Sequence, residues 1–272
     1  MNPRHALVCG ASEGIGRATA FALAGAGLSV TVLSRRMERL RELVSELPAS
    51  DGQVHGCVAT DANDSAGLAS AVAALCAKRP VQVLVNNTAG PPGGPAHAAP
   101  IDQYLAVFRQ HLVANQILVQ AVLPGMREAG FGRIVNIIST SVKEPIANLG
   151  VSNTIRGAVA GWAKTLSREL APFGITVNNV LPGYTETGRI AQIARDRAAA
   201  TGQTEEAILD ERAAASGKSR EDIAAAMLAT VPAARFAEPA EIAAAVAFLC
   251  SPEAGYINGI NLPVDGGRTR SL

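Results

Sequence analysis

The segment Gly10-Ala11-Ser12-Glu13-Gly14-Ile15-Gly16 follows a short apolar run at residues 6–9 and opens into an Ala-rich stretch. No other feature restricts the fold as strongly. Its glycines permit a tight turn and a close approach of the backbone to a ligand. The helix start behind them offers free N–H groups and the positive end of a dipole to a negative charge. A strand, such a turn and a helix make up the first half of a βαβ unit, and the turn suits a pyrophosphate.

The rest of the chain repeats the unit. β-branched runs at 6–9, 29–34, 53–58, 81–86, 132–138, 175–181 and 260–264 predict seven strands. Ala/Leu-rich stretches between them predict helices at 14–26, 37–47, 65–78, 101–127, 151–173 and 239–249. This alternation predicts an α/β chain, a Rossmann-type doubly wound seven-stranded parallel sheet with helices on both faces. With 272 residues and no composition shift, a single dinucleotide-binding domain over 1–272 is expected. One segment breaks the rhythm. Residues 188–235 are long and Ala-rich, and 198–208 is echoed by 213–223. Gly202 and Gly217 suit helix stops, and Thr204 and Ser219 suit caps, so a lid of short helices is expected, with a passive insertion used in subunit packing as the alternative.

Composition narrows the partners. The net charge is +1 and 17% of residues are charged, which leaves no basic footprint for nucleic acid. Apolar residues are 48%, in runs too short for the roughly 20 residues that span a bilayer. The N-terminus lacks the pattern of a signal peptide, so a cytoplasmic location is expected. Cys9, Cys57, Cys76 and Cys250 are scattered, and with His5 and His55 they form no metal-ligand spacing. No metal site is expected.

The Gly-xxx-Gly-x-Gly spacing of the loop resembles that of the short-chain dehydrogenase/reductase family. Asn86-Asn87-Thr88-Ala89 resembles the family's Asn-Asn-Ala-Gly, with Ala89 in place of the glycine. Asp61-Ala62 falls where the family sets an acidic residue beside the adenine. Pro182-Gly183, with Thr187 four residues on, resembles the loop that touches the nicotinamide carboxamide. Val264-Asp265-Gly266-Gly267 resembles the C-terminal signature. The order and spacing hold from residue 6 to about 267. The resemblance implies a nicotinamide dinucleotide held by Gly10, Ser12, Glu13, Gly14, Ile15, Gly16, Asp61, Ala62, Asn87, Pro182, Gly183 and Thr187. It also implies a homo-oligomer, tetramer or dimer, built through the long helices and the last strand, where Trp162 and Phe173 fall.

Cofactor choice is read at the end of the second strand. An acidic residue there would select NAD, but the chain has Ser34, Arg35 and Arg36. A hydroxyl beside guanidinium groups suits a 2′-phosphate, so NADP(H) is favoured, with NAD(H) as the alternative. Glu13 argues the other way, because NADP-preferring relatives often carry a basic residue at that position.

Family members carry a catalytic tetrad of Asn, Ser, Tyr and Lys, and three of those positions differ here. Ser139, closing Val135-Asn136-Ile137-Ile138-Ser139, matches the serine that polarises the carbonyl. Thirteen residues later Ser152 stands for the tyrosine, and Arg156 for the lysine. Counting back from Ala121-Val122-Leu123-Pro124, the asparagine position holds His111. Tyrosine serves as the acid because its phenol, with a pKa of about 10, can be drawn toward neutrality. A serine hydroxyl cannot. Arg156 can supply charge and hold the ribose without releasing a proton. His111, Lys143 or Tyr184 could replace the acid, or none does. A divergent branch of the family carries Ser-Asn-xx-Arg with a preceding Lys-Glu-Pro like Lys143-Glu144-Pro145, and it is labelled 3-oxoacyl-carrier-protein reductase-like. His97, in the Pro/Gly-rich segment 91–100, reads as a solvated loop histidine. Three functions stay open: an NADP(H)-dependent oxidoreductase on a small-molecule carbonyl or alcohol, a non-redox dehydratase, isomerase or lyase, and a nucleotide-binding subunit without turnover.

Overall fold

Residues 3–50, 52–187 and 225–271 are described in the computed structural model. Seven strands form one sheet in the order β3-β2-β1-β4-β5-β6-β7. They are β1 (His5–Cys9), β2 (Ser29–Ser34), β3 (Gly56–Ala59), β4 (Val83–Asn86), β5 (Gly132–Ile137), β6 (Ile175–Pro182) and β7 (Asn261–Val264). Every neighbouring pair is parallel. Because the order reverses between β1 and β4, the carboxyl ends of those two strands open the crevice where such sheets bind ligands.

The helices are α1 (Gly14–Gly25), α2 (Met37–Glu46), α3 (Ser65–Lys78), α4 (Ile101–Phe108), α5 (Ala114–Glu128), α6 (Gly150–Leu170) and α7 (Pro239–Cys250). Alternation along each strand sends side chains to two cores. Val8, Val32, Val85 and Val180 pack with Leu23 of α1, Leu40 of α2 and Val246 of α7 on one face. Leu7, Leu84, Ile134 and Val177 pack with Leu68 of α3, Val119 of α5 and Ala163 of α6 on the other. The sheet is therefore covered on both sides, as the sequence predicts.

Most boundaries shift by one to three residues, and two departures from the expectation have a visible reason. The third strand starts at Gly56 rather than residue 53, because residues 53–55 reach their neighbours through side chains and not a ladder. Gln53 Nε2 donates to the carbonyls of Ala24 and Leu28, Val54 N–H donates to Ser29 Oγ, and His55 Nδ1 accepts from Val30 N–H. The helix expected over 101–127 is not uniform: a π-helical turn, Arg109–Val113, separates α4 from α5 and contains His111. Such a turn is uncommon and often lies at a functional site.

Four asparagines cross the sheet on one line. Asn86, Asn136, Asn179 and Asn261 are register partners on β4, β5, β6 and β7. Asn86 Nδ2 donates to Asn136 Oδ1, Asn136 Nδ2 to Asn179 Oδ1, and Asn179 Nδ2 to Asn261 Oδ1, each at 2.8 Å. The line starts at the carboxyl end of β4, passes one residue short of the end of β5 and through the middle of β6, and finishes on the first residue of β7. Of the lid expected over 188–235, residues 188–224 lie outside the described residues. Residues 225–228 form a helical turn, and Val231 is buried where the chain returns beside β7.

Candidate active site

The glycine loop is shaped by contacts that only glycine allows. A Cβ on Gly10 would lie 2.5 Å from the carbonyl oxygen of Asn87, and one on Gly16 would lie 2.2 Å from that of Gly10. Gly10 and Gly14 both have positive φ, +58° and +56°. Asn87 Nδ2 donates to Gly10 O at 3.1 Å and so ties the loop after β1 to the loop after β4. α1 begins at Gly14 without a side-chain cap from Glu13. Thr187 stands against the loop, 3.3 Å from where a Gly14 Cβ would be. Ser12 and Ile15 are half-buried, with Ile15 packed on the core below. Gly14, Arg17, Glu186, Thr187, Glu238 and Pro239 line an open cavity of about 510 Å³ beside this turn. An uncapped helix start behind a turn without side-chain bulk fits a pyrophosphate.

At the end of β2, Ser34 is half-buried and its Oγ accepts from Arg36 N–H at 3.4 Å. Arg35 and Arg36 are exposed. Arg36 Nη2 lies 3.2 Å from Glu13 Oε2, so the acid of the glycine loop and the arginine that precedes α2 form an ion pair that linear spacing does not reveal. Asp61 Oδ1 accepts from Asn63 N–H at 2.9 Å in a tight turn after β3, and Ala62 packs on the core.

Ser139 follows the end of β5, and Arg156 reaches that strand end from α6. Ser139 caps a short 3-10 turn, Thr140–Val142, and its Oγ accepts from Ser141 N–H at 3.1 Å. Arg156, on the second turn of α6, donates from Nη1 to the carbonyls of Ile137 and Ile138. Its guanidinium is thereby held against the strand end that carries Ser139. Ser152 is buried in the first turn of α6. Its neighbour Asn153 clamps the preceding loop, donating from Nδ2 to Ile146 O at 2.9 Å and accepting from Ile146 N–H. Lys143 is half-buried on that loop.

His111 is buried in the π turn, with Nδ1 2.7 Å from Thr88 Oγ1. Thr88 belongs to the loop after β4 that also supplies Asn87, so the histidine is fastened to the nucleotide-facing edge of the sheet. Past β6, Gly183 N–H donates to Val264 O at 2.9 Å, and a Cβ on Gly183 would fall 2.7 Å from Asp265 Cα. Pro182 pairs with Val264 in register, which fixes where the loop of Tyr184 leaves the sheet.

Linear reading missed the tail after β7. Arg268 Nη1 donates to Thr140 Oγ1 at 3.3 Å, and its guanidinium stands 4.7 Å from the Tyr184 ring centre. Glu144 Oε1 accepts from the backbone N–H groups of Arg270 and Ser271. The only hint in the sequence is that a basic residue directly follows the Asp-Gly-Gly signature.

His97 is exposed, as a loop histidine should be. His5 is buried between Thr31 and Pro80, bonded to both. Burial pushes the Cys9 and Cys250 thiols up to about 12, so both are inert at neutral pH. Among the described residues no group of three His, Cys, Asp or Glu could hold a metal, and no helix is long and apolar enough to cross a membrane.

Comparison with known proteins agrees with this geometry. Residues 4–198 match the model described as short chain dehydrogenase, and residues 207–269 match the one described as enoyl-(acyl carrier protein) reductase. The chain is 30% identical to the NADPH-dependent reductase BacG of Bacillus subtilis, with all of both chains covered. It is 35% identical to a putative ketoacyl reductase of Streptomyces coelicolor, over 96% of this chain and 95% of the relative. It also superposes on the crystal structure of YwfH, an NADPH-dependent reductase involved in bacilysin biosynthesis, with a TM-score of 0.85, 28% identity and 100% of both chains covered. The glycine loop, the order of the sheet and these matches place the chain in the short-chain dehydrogenase/reductase family.

Proposed function

We propose that the protein is an NADP(H)-dependent oxidoreductase acting on a small carbonyl or alcohol substrate, with an active site of the divergent Ser-Asn-xx-Arg kind. The observation that carries this reading is the hold of Arg156 on the carbonyls of Ile137 and Ile138, which brings a permanent cation to the strand end bearing Ser139. In related enzymes a lysine stands at that position. The residues that would hold the nucleotide are Gly10, Ser12, Glu13, Gly14, Ile15 and Gly16 at the pyrophosphate and Ser34, Arg35 and Arg36 at the 2′-phosphate. Asp61 and Ala62 would lie at the adenine, and Asn87, Arg156, Pro182, Gly183 and Thr187 toward the nicotinamide. When bound, NADP(H) supplies or takes up the hydride at the substrate carbon.

The chain's own residues handle the oxygen. Ser139 donates a hydrogen bond to it, and the Arg156 charge stabilises the alkoxide that develops there. Ser152, at the tyrosine position, is too weak an acid to complete the step. His111 is the preferred source of the proton, because an imidazole exchanges protons near neutrality and its ring is held by Thr88. Lys143, on the loop after Ser139, is the second candidate.

Self-association belongs to the same reading. Ile101, Leu105 and Phe108 recur at helical spacing on α4 and are 74%, 49% and 39% exposed, an apolar stripe suited to a second copy. The absence of a spanning helix among the described residues is compatible with a cytoplasmic location.

The test is a fluorescence titration with NADPH and NADH, followed by a panel of ketones and 3-oxoacyl thioesters. Saturable NADPH binding with substrate-dependent loss of the reduced-nicotinamide signal is the expected result. Product without that loss would make the protein a non-redox enzyme, and binding without product would make it a nucleotide-binding subunit.

A further inference from the structure

Arg268 is held at the mouth of the site by contacts on several sides. Its Nη1 reaches Thr140 Oγ1, next in sequence to Ser139, and its guanidinium packs on the Tyr184 ring. The tail is fixed before and after it. Asp265 accepts from the N–H groups of Gly267 and Thr269, and Glu144 accepts from those of Arg270 and Ser271. Arg268 Nε is buried without a hydrogen-bond partner, and among the described residues no carboxylate pairs with its guanidinium.

A guanidinium nitrogen withdrawn from water with its hydrogen unanswered is costly, and Asp265 and Glu144, the acids that hold the tail, are engaged with its backbone N–H groups. An anionic oxygen group on a ligand would answer it with a charge-assisted, planar match. The fold indicates which ligand. β7 is at one edge of the sheet and β3 at the other, with β2 beside β3. Ser34 and Arg35 thus mark the adenosine side, whereas Arg268 contacts the loops that follow β5 and β6, beside Ser139.

We infer that Arg268 is a specificity residue that receives an anionic group, carboxylate or phosphate, carried by the carbonyl substrate. Substrates with such a group, oxo acids foremost, are selected over neutral ketones and esters. The inference rests on the reductase reading. Glu144 is a positioning residue in this scheme, since it fixes the tail and touches no substrate.

The experiment compares matched pairs: 2- and 3-oxo acids with their methyl esters, and phosphorylated hydroxyketones with the parent ketones. Each is assayed with NADPH on the wild-type protein, R268Q and R268K. The wild type should prefer the anionic member by tenfold or more in kcat/KM, mainly through KM. R268Q should lose that ratio, and R268K should restore part of it, with NADPH affinity equal in all three. General damage to the fold would lower both members together and leave the ratio intact, which would overturn the inference. A wild-type ratio near one would overturn it too, while leaving the reductase reading standing. If no pair is turned over, calorimetric titration of oxo acid into the NADPH-saturated protein decides: binding lost in R268Q supports the anion site, and no binding to the wild type removes it.

Discussion

The Nδ1 of His111 and the Oγ1 of Thr88 are 2.7 Å apart, so the π turn between α4 and α5 is fastened to the loop that follows β4. That bond fixes the ring orientation of the histidine proposed as the proton source. If His111 delivers the proton, H111A should lower kcat by a hundredfold or more, the usual scale for a general acid. NADPH affinity should be unchanged. T88V removes this hydrogen-bond partner from the imidazole, and it should displace the pH profile of kcat and reduce its maximum by about tenfold. Full activity in H111A together with loss in K143A would move the proton source to Lys143.

The ion pair between Glu13 and Arg36 joins the glycine loop to the end of β2, and it bears on cofactor selectivity. Arg36 must share its charge between Glu13 and any 2′-phosphate. Removing the acid by E13Q should tighten NADPH binding several-fold and leave NADH affinity nearly constant. Substituting Arg35 and Arg36 together by Ala should weaken NADPH by tenfold or more, with the gap closing as ionic strength rises, because both side chains are exposed. Equal changes for the two nucleotides in a fluorescence titration would refute the assignment.

These two relationships show what could be read from the chain and what could not. The seven parallel strands and the glycine loop were legible because they depend on local spacing: β-branched runs, turn residues and a helix start. Ser139, Ser152, Arg156 and His111 were singled out by counting between motifs, and their roles belong to the proposed function. The π turn around His111 was not legible, since one extra residue in a helical stretch leaves the apolar pattern almost intact. Glu13–Arg36 and Glu144 with the Arg270 and Ser271 backbone join residues 23 and more than 120 positions apart, and such pairs are set only by tertiary packing. The early start assigned to β3 had a similar cause, because Gln53 and His55 imitate a ladder with side chains.

The asparagine line offered a weak signal, a residue of low β-propensity inside four apolar runs, and it makes a prediction about stability. Removing Asn136 orphans a donor on Asn86 and an acceptor on Asn179, while removing Asn86 orphans only the acceptor on Asn136. With each buried orphan costing about 1–3 kcal/mol, N136A should destabilise by about 2–6 kcal/mol and N86A by about half of that. The N136A/N179A double variant should lose less than the sum of the single changes, because the bond between the two is counted twice. Urea denaturation of the wild type, N86A, N136A, N179A and the double variant gives these differences. Additivity would mean that the line is not a connected network.

His5 predicts the acid side of the stability curve. Burial, reinforced by the charge of Arg79, lowers its pKa from 6.5 to about 4. Its ring is neutral in the folded chain, with Nδ1 donating to Pro80 O and Nε2 accepting from Thr31 Oγ1. Between those two pH values the unfolded chain binds a proton that the folded chain refuses, so stability rises with pH across the window. The contribution is present in full above about pH 6.5, declines as pH falls, and is gone below about pH 4. Its size is roughly 3 kcal/mol, from 1.36 kcal/mol per unit. Replacing the ring by Leu removes this slope and leaves the Thr31 hydroxyl to find another partner, so H5L should be less sensitive to acid than the wild type. Urea midpoints between pH 4 and pH 7 should therefore converge for the two proteins as pH falls; parallel curves would mean that His5 takes up its proton alike in the folded and unfolded chain.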